Sequence, residues 1–136
     1  MAKENGLGMA TLSVDDGAGS LQAIKNDITN FGLATPRGVQ DTTGVDKSAM
    51  ERLLLLADAS IDLNGVFNDT TTTGAHQVFK TVSSTSTVRT VSIDVSGQTL
   101  SMEMLFTDYN LTRAQSGELT FSAPGVLATG VVPTWS

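Results

Sequence analysis

The residues able to do chemistry are few, and most are carboxylates. Asp58 and Asp62 sit four apart in an alternating stretch, with Ser60 between them and Asn64 beyond. Paired carboxylates do acid and base work in glycosidases, but four residues along a straight strand span ~13 Å, wider than either glycosidase spacing. The single histidine, His76, has no thiol to activate, because the chain contains no cysteine. A Ser-His-Asp arrangement would have to be completed from distant segments. His76 falls on the polar side of a helical stripe and is expected to be an ordinary surface histidine. Asp15-Asp16-Gly17 is reminiscent of a calcium loop, yet the spaced ligands and closing glutamate are missing. Gly17-Ala18-Gly19 lacks the lysine and the spacing of a phosphate loop. No catalytic residue, metal ligand or cofactor is therefore assigned, and the chain is not expected to be an enzyme.

The carboxylates are carried by the stretch Leu53 to Phe67, LLLLADASIDLNGVF. From Asp58 onward Asp58, Ser60, Asp62 and Asn64 share one parity and Ala59, Ile61 and Leu63 the other, which is the pattern of a strand with one buried and one wet face. A strand through the whole stretch would run on the order of 50 Å, longer than most in a domain of this size. It must bend or reach beyond its own subunit, and it is read as part of a sheet completed by copies of the same chain.

The other elements follow from similar patterns. Ala10 to Val14 reads as a short first strand ended by the Asp15 to Gly19 turn. Leu21 to Thr35 is a second strand whose inward parity changes near Thr29 and Asn30, the mark of a bulge. Pro36 and Gly38 break it. Residues 36–52 are expected to be a long loop touching a neighbour, with one helical turn where Ser48 and Glu51 have capping-box spacing. Ala75, Val78, Phe79 and Val82 give one apolar helical stripe about ten residues long. Val88 to Val95 and Leu100 to Asp108 alternate on either side of Ser96-Gly97 and form a hairpin, with Met102, Met104 and Phe106 on one face and Glu103 on the other. Tyr109 to Ser116 is expected to be a connection. Glu118 to Ala123 is a last strand closed by Pro124-Gly125, followed by an apolar tail whose Trp135 packs on its own core or on a neighbour.

At 136 residues and 40% hydrophobic content the chain fits one domain, 1–136, with a real core. Fourteen acidic against eight basic residues give a net charge of −6, and no Lys/Arg cluster occurs, so the surface repels nucleic acid. Without cysteine, stability must come from packing or assembly. The N-terminus has no hydrophobic signal region, and the aliphatic run Leu53 to Ala57 is far short of the ~20 residues that span a bilayer. The chain is expected to be made in a cytosol and not to contact membrane. Several strands and one helix imply a mainly β fold of two packed antiparallel sheets, a sandwich or open barrel with a flanking helix.

The stretches LSVDD (Leu12 to Asp16), IKNDITNF (Ile24 to Phe31), Ala34 to Asn68, and LFTDYNLTRAQSGELTFSAPGV (Leu105 to Val126) resemble the tail tube protein, or major tail protein, of long-tailed, non-contractile actinobacterial phages. The resemblance covers nearly the whole chain in order and spacing. It implies a structural virion protein that stacks as six-subunit rings into the hollow tail, each subunit giving four strands to a continuous inner barrel, with double-stranded DNA passing through without specific binding. Tape measure, tail terminator and baseplate proteins are the implied partners. The acidic strand faces then become lumen candidates, Asp58, Asp62, Glu103 and Glu118. Contacts between subunits fall to an N-terminal arm (1–8), to the 36–52 loop with Arg37, Asp46, Lys47 and Arg52, and to the 126–136 tail with Trp135. An alternating acidic face is equally the pattern of any solvent-facing strand, since parity groups residues on a face without saying which wet face is inside. A terminator, a baseplate hub or a contractile-tail tube shares the implied fold. A monomeric ligand-binding barrel would need an aromatic interior, and aromatic residues make up only 5% of the chain.

Overall fold

The computed structural model describes residues 3, 5–9 and 11–136. Residues 1, 2, 4 and 10 lie outside the described residues, and with them part of the expected 1–8 arm and the start of the expected first strand. Ten strands and one short helix follow in order: β1 (Thr11–Asp15), β2 (Leu21–Ala23), β3 (Ile28–Ala34), β4 (Arg37–Asp41), β5 (Arg52–Ala57), β6 (Ser60–Val66), α1 (Ala75–Phe79), β7 (Arg89–Val95), β8 (Gln98–Phe106), β9 (Asn110–Arg113) and β10 (Leu119–Leu127). Eight of the strands form one antiparallel sheet in the order β2-β1-β7-β8-β10-β6-β3, with β9 beside β10. β4 and β5 form a separate hairpin.

β10 joins the two halves of the sheet. Its first residues pair with β9 and its last, Gly125 to Leu127, with β8, while β6 runs along its opposite edge. One half is thus β9-β10-β6-β3 and the other β2-β1-β7-β8. Their apolar parities share one core: Leu12 and Val14, Val91 and Ile93, Leu100 to Phe106 on alternate positions, Ile61 and Leu63, Phe121 and Ala123, all buried. The alternation that identified β6, β7 and β8 is therefore the alternation that fills the core. Ser96 and Gly97 turn the β7–β8 hairpin at φ 53° and 80°. Two successive positive φ values are the geometry that matches the twist of the flanking strands. The register shift expected near Thr29 is present, between Ile28 and Asn30. Gly65 is required by packing, because a Cβ there would lie 2.2 Å from the Asp27 carbonyl oxygen.

Several expectations are corrected. Leu53 to Phe67 is two strands: the chain breaks at Asp58 and Ala59, where the Asp58 N–H donates to the Pro36 carbonyl and the Asp58 carboxylate accepts the Ala59 N–H. The 36–52 loop contains β4, and no helical turn forms at Ser48; the local turn is closed instead by the Lys47 N–H on Gly44. The 109–116 connection contains β9. Pro124-Gly125 does not end the last strand, which continues to Leu127: Pro124 stays in register opposite Asp62 of β6 and its carbonyl accepts the Thr107 N–H. The helix is five residues long, its apolar stripe continuing through hydrogen-bonded turns to a half-buried Val82.

Helix α1 is too short to persist by itself; buried charges hold its two ends. The Asp27 carboxylate, 4% exposed, accepts the Ala75 N–H at 3.0 Å and the Asn68 side-chain amide at 2.8 Å. At the other end Arg89 donates to the Val78 carbonyl, to the Asp15 carbonyl at 3.1 Å and to Thr81 Oγ1 at 2.9 Å. Burial pulls the Arg89 guanidinium below the ordinary arginine value, and Asp16 and Asp15 oppose that pull.

His76 is not a plain surface residue. Its ring lies 4.6 Å from that of Phe67, and Nδ1 is 3.1 Å from the Tyr109 hydroxyl, within an aromatic cluster that includes Phe79, Phe106 and Phe121. Burial pushes the Tyr109 phenol up to about 12. It is the only tyrosine, so absorbance near 295 nm during alkaline titration should give one phenolate midpoint near 12 in the folded protein and near 10 after unfolding. The unfolded chain loses its proton first, so this contribution to stability is intact below pH ~10 and lost on rising towards 12. A folded-state midpoint at 10 would contradict the buried setting.

Candidate assembly surface

The hairpin β4–β5 leaves the body of the subunit. Its pairing sets Val39 opposite Leu54, Gln40 opposite Leu53 and Asp41 opposite Arg52, with a register shift after Arg37. Leu54 and Leu56 therefore share one face with Val39, and Leu53 and Leu55 the other. Leu53 to Leu56 are 46–90% exposed, so both faces are apolar and open. An isolated two-stranded hairpin is marginal in water, and a contiguous exposed apolar surface marks an interaction site.

Four of the five named contact candidates, Arg37, Asp46, Lys47 and Arg52, lie on this arm or its connection. Arg37 spends its guanidinium within the arm, donating from Nε and Nη2 to the Leu55 carbonyl at 3.0 and 2.7 Å, where the register shift disturbs regular pairing. Arg52 is exposed and lies across from Asp41, whose carboxyl is held below its ordinary value by Thr43. Asp46 and Lys47 sit in the exposed connection between β4 and β5, 3.6 Å apart, with Glu51 at 4.0 Å from Lys47. Trp135 is remote from the hairpin strands in sequence and bridges to Leu100 of β8, its neighbour Ser136 exchanging two 2.9 Å hydrogen bonds with Thr99. Trp135 remains 51% exposed. Val132 of the same tail lines an open groove with Leu54, Leu55 and Leu56.

The four lumen candidates do not form one cluster. Asp62 stands on the outward face of β6, exposed, opposite Gly32 and Pro124. Asp58 is exposed at the junction of arm and body. Glu118 occupies the β9–β10 turn, where its carboxylate accepts the Ser116 hydroxyl at 2.6 Å. Glu103 lies on β8, in the other half of the sheet, and accepts the Thr90 hydroxyl at 2.6 Å. The outward face of β9-β10-β6-β3 carries a row in register, Asn110, Ser122, Asn64 and Asn30, with an amide hydrogen bond of 2.9 Å between the two asparagines Asn64 and Asn30. That row was not expected. Its signal in the sequence is the matching parity of Asn64, Ser122 and Asn30 on three strands, which cannot be combined until pairing is known. No lysine or arginine occupies the outward positions of these four strands.

Among the described residues no group of three or more His, Asp or Glu side chains is placed to hold a metal, and no helix is long and apolar enough to cross a membrane.

No family model and no curated protein matches the sequence. Solved structures do match. A chain in the virion of a native gene transfer agent particle superposes with a TM-score of 0.75 at 16% identity, covering 98% of this chain and 99% of that one. The fold is shared end to end. A second such chain, from the tail of an empty gene transfer agent particle with C6 symmetry, gives 0.72 at 19% identity, covering 98% of each. At such identities the likeness concerns the fold, a mainly β antiparallel domain with one short helix.

Proposed function

We propose that the chain is the repeating subunit of a hollow phage-type tail tube, stacked as six-membered rings through which double-stranded DNA passes. The observation that carries this reading is the β4–β5 arm, whose leucines are exposed on both faces. Burying one leucine contributes ~1.5–3 kcal/mol, so an arm seated between other copies supplies a large driving force for self-association. The C6 symmetry of the gene transfer agent tail, in which a chain of the same fold occurs, supports six copies per ring. Tape measure, terminator and baseplate proteins would meet such a tube along its lumen and at its ends. The subunit would belong to the virion tail after assembly in the host cytoplasm.

The half-sheet β9-β10-β6-β3 supplies four strands, and six copies give ~24. At ~4.8 Å spacing and ~40° tilt such a barrel has a backbone diameter of roughly 48 Å, leaving room for a ~20 Å duplex. Its outward face offers neutral amides and hydroxyls, the exposed valines Val66 and Val126, and Asp62 as a repeated charge. Asp58 and Glu118 flank it, and Glu103 lies on β8, which pairs with the end of β10 and belongs to the other half of the sheet. A wall without cations gives phosphates nothing to bind. Tubes of an Asp58→Lys/Asp62→Lys variant should therefore form normally but retain short duplex DNA on pelleting at low salt, where native tubes leave it in solution. Equal retention by both would remove the lumen assignment.

Sedimentation velocity across a concentration series at neutral pH tests the reading as a whole. A fast polymer boundary that grows with concentration is expected. A monomer at every concentration would overturn it in favour of a solitary β-barrel.

A further inference from the structure

We propose that residues 128–136 form a releasable clasp, closed against the arm in the free subunit and opened when a second copy covers the arm. The inference rests on the tube reading and adds to it a switch that governs when the subunit assembles.

The clasp begins where β10 leaves β8. β10 pairs with β8 only from Met104 to Phe106, while β7 follows the opposite edge of β8 down to Gln98. No strand of the sheet therefore covers the edge at Thr99, Ser101 and Glu103, and an uncovered edge is a template for one. The chain's own tail fills it. The Ala128 N–H donates to the Glu103 carbonyl at 3.0 Å, and Ser136 exchanges two hydrogen bonds of 2.9 Å with Thr99, which sets Trp135 across from Leu100. Between these two anchors residues 129–134 leave the edge. Gly130 takes a φ of 76°, Pro133 has no N–H to give, and among the described residues no backbone hydrogen bond joins 129–134 to Ser101.

The excursion reaches the arm. Val132 shares with Leu54, Leu55 and Leu56 an open groove of about 620 Å³ that Arg37 and Ala57 also line. Those leucines are the side chains that assembly has to cover, so the clasp and a second copy compete for one surface.

The clasp is built to yield. Leu56 stays 90% exposed beside it and Val132 59% exposed, so closing it buries little apolar area. Its three backbone hydrogen bonds, each of small net value, are set against the ordering of nine residues. A second copy that buries the leucines binds the open form alone and draws the population towards it. Closed clasps lower the fraction of subunits competent to assemble, and with it the apparent affinity between copies.

The chain has no native cysteine, so a disulfide can hold the clasp shut. Residues that exchange both hydrogen bonds across an antiparallel pair have Cα atoms ~5.5 Å apart, within disulfide reach. Thr99 and Ser136 are such a pair, and neither belongs to the core. A Thr99→Cys/Ser136→Cys chain, oxidised while dilute, should stay monomeric at concentrations where the native chain polymerises, and dithiothreitol should restore polymerisation. In the reverse order, tubes assembled from the reduced variant and then oxidised should keep both thiols free, each taking up an alkylating reagent by mass spectrometry. Trp135 reports the same event without cysteines, being the only tryptophan: its emission maximum and its quenching by acrylamide should both change as native tubes form. Polymerisation of the oxidised chain at native concentrations, a disulfide that closes as readily in tubes as in free subunits, or Trp135 emission unaltered by native assembly overturns the clasp while leaving the tube reading intact. Failure of the native chain to form any ring or tube overturns the tube reading, and the clasp with it.

Discussion

A chain carrying Leu54→Lys and Leu56→Lys folds normally and does not polymerise. Both leucines lie on the face of the arm that also carries Val39, and neither belongs to the buried core. Replacing them removes roughly 3–6 kcal/mol of apolar burial per subunit from any contact that covers this face. It also requires two ammonium groups to be desolvated without partners, which adds several kcal/mol more. A ring multiplies that deficit over every copy, so assembly should fall below detection at concentrations where the native chain is fully polymerised. The folded body should be indifferent, because its sheet and helix do not use these side chains. Far-ultraviolet circular dichroism and thermal melting check the second half of this expectation, and light scattering during concentration checks the first. Polymerisation at native levels would mean that the exposed leucines are not the assembly surface.

Arg89→Met has the opposite signature, a large loss of stability with no direct effect on the arm. Arg89 is 2% exposed, and its guanidinium satisfies the Val78 and Asp15 carbonyls and the Thr81 hydroxyl together. Methionine is a flexible apolar chain that fills much of the stem volume, so the cavity contribution is small. What remains is a set of buried acceptors without donors at the end of α1, facing Asp15 and Asp16 without their countercharge. Each orphaned group costs ~1–3 kcal/mol, and removing one partner of a buried charge network costs ~3–5 kcal/mol. The expected loss is about 3–5 kcal/mol, a fall in melting temperature on the order of 10 °C. Calorimetry on the unassembled subunit measures it. A loss under 1 kcal/mol would show that water or rearrangement replaces the guanidinium.

Period-two alternation identified β6, β7 and β8 because each has one face in the core and one in water, and in that setting burial dictates side-chain type residue by residue. The Ser96-Gly97 turn and the bulge near Thr29 were legible for a related reason, a local backbone requirement written in one or two residues. Leu53 to Ala57 defeated the same logic. A strand whose two faces both await a partner has no alternation, so it merged with β6 into one element. β4 and β9 were missed because their side chains are exposed on both faces and burial constrains them little. Pro124-Gly125 looked like a stop, but position decided otherwise: Gly125 lies against Phe106 and Ile61, where a Cβ would come within 3.1–3.3 Å of their side chains, and the strand passes through. The two buried charges, Asp27 and Arg89, gave no sequence signal, since each serves a helix end reached only through tertiary structure. For the candidate surface, Arg37, Asp46, Lys47 and Arg52 fall on the β4–β5 segment, beside exposed leucines that no alternation marks. Among the lumen candidates, parity groups outward positions strand by strand but carries no information that Glu103, on β8, sits in a different half of the sheet from Asp62.

Negative-stain electron microscopy of the purified, concentrated chain at neutral pH is the most direct experiment. Hollow rods or six-fold rings with a central stain-filled channel, wide enough for a duplex, are the expected result. Uniform single particles of subunit size, or solid fibrils without a channel, would contradict assembly into a tube.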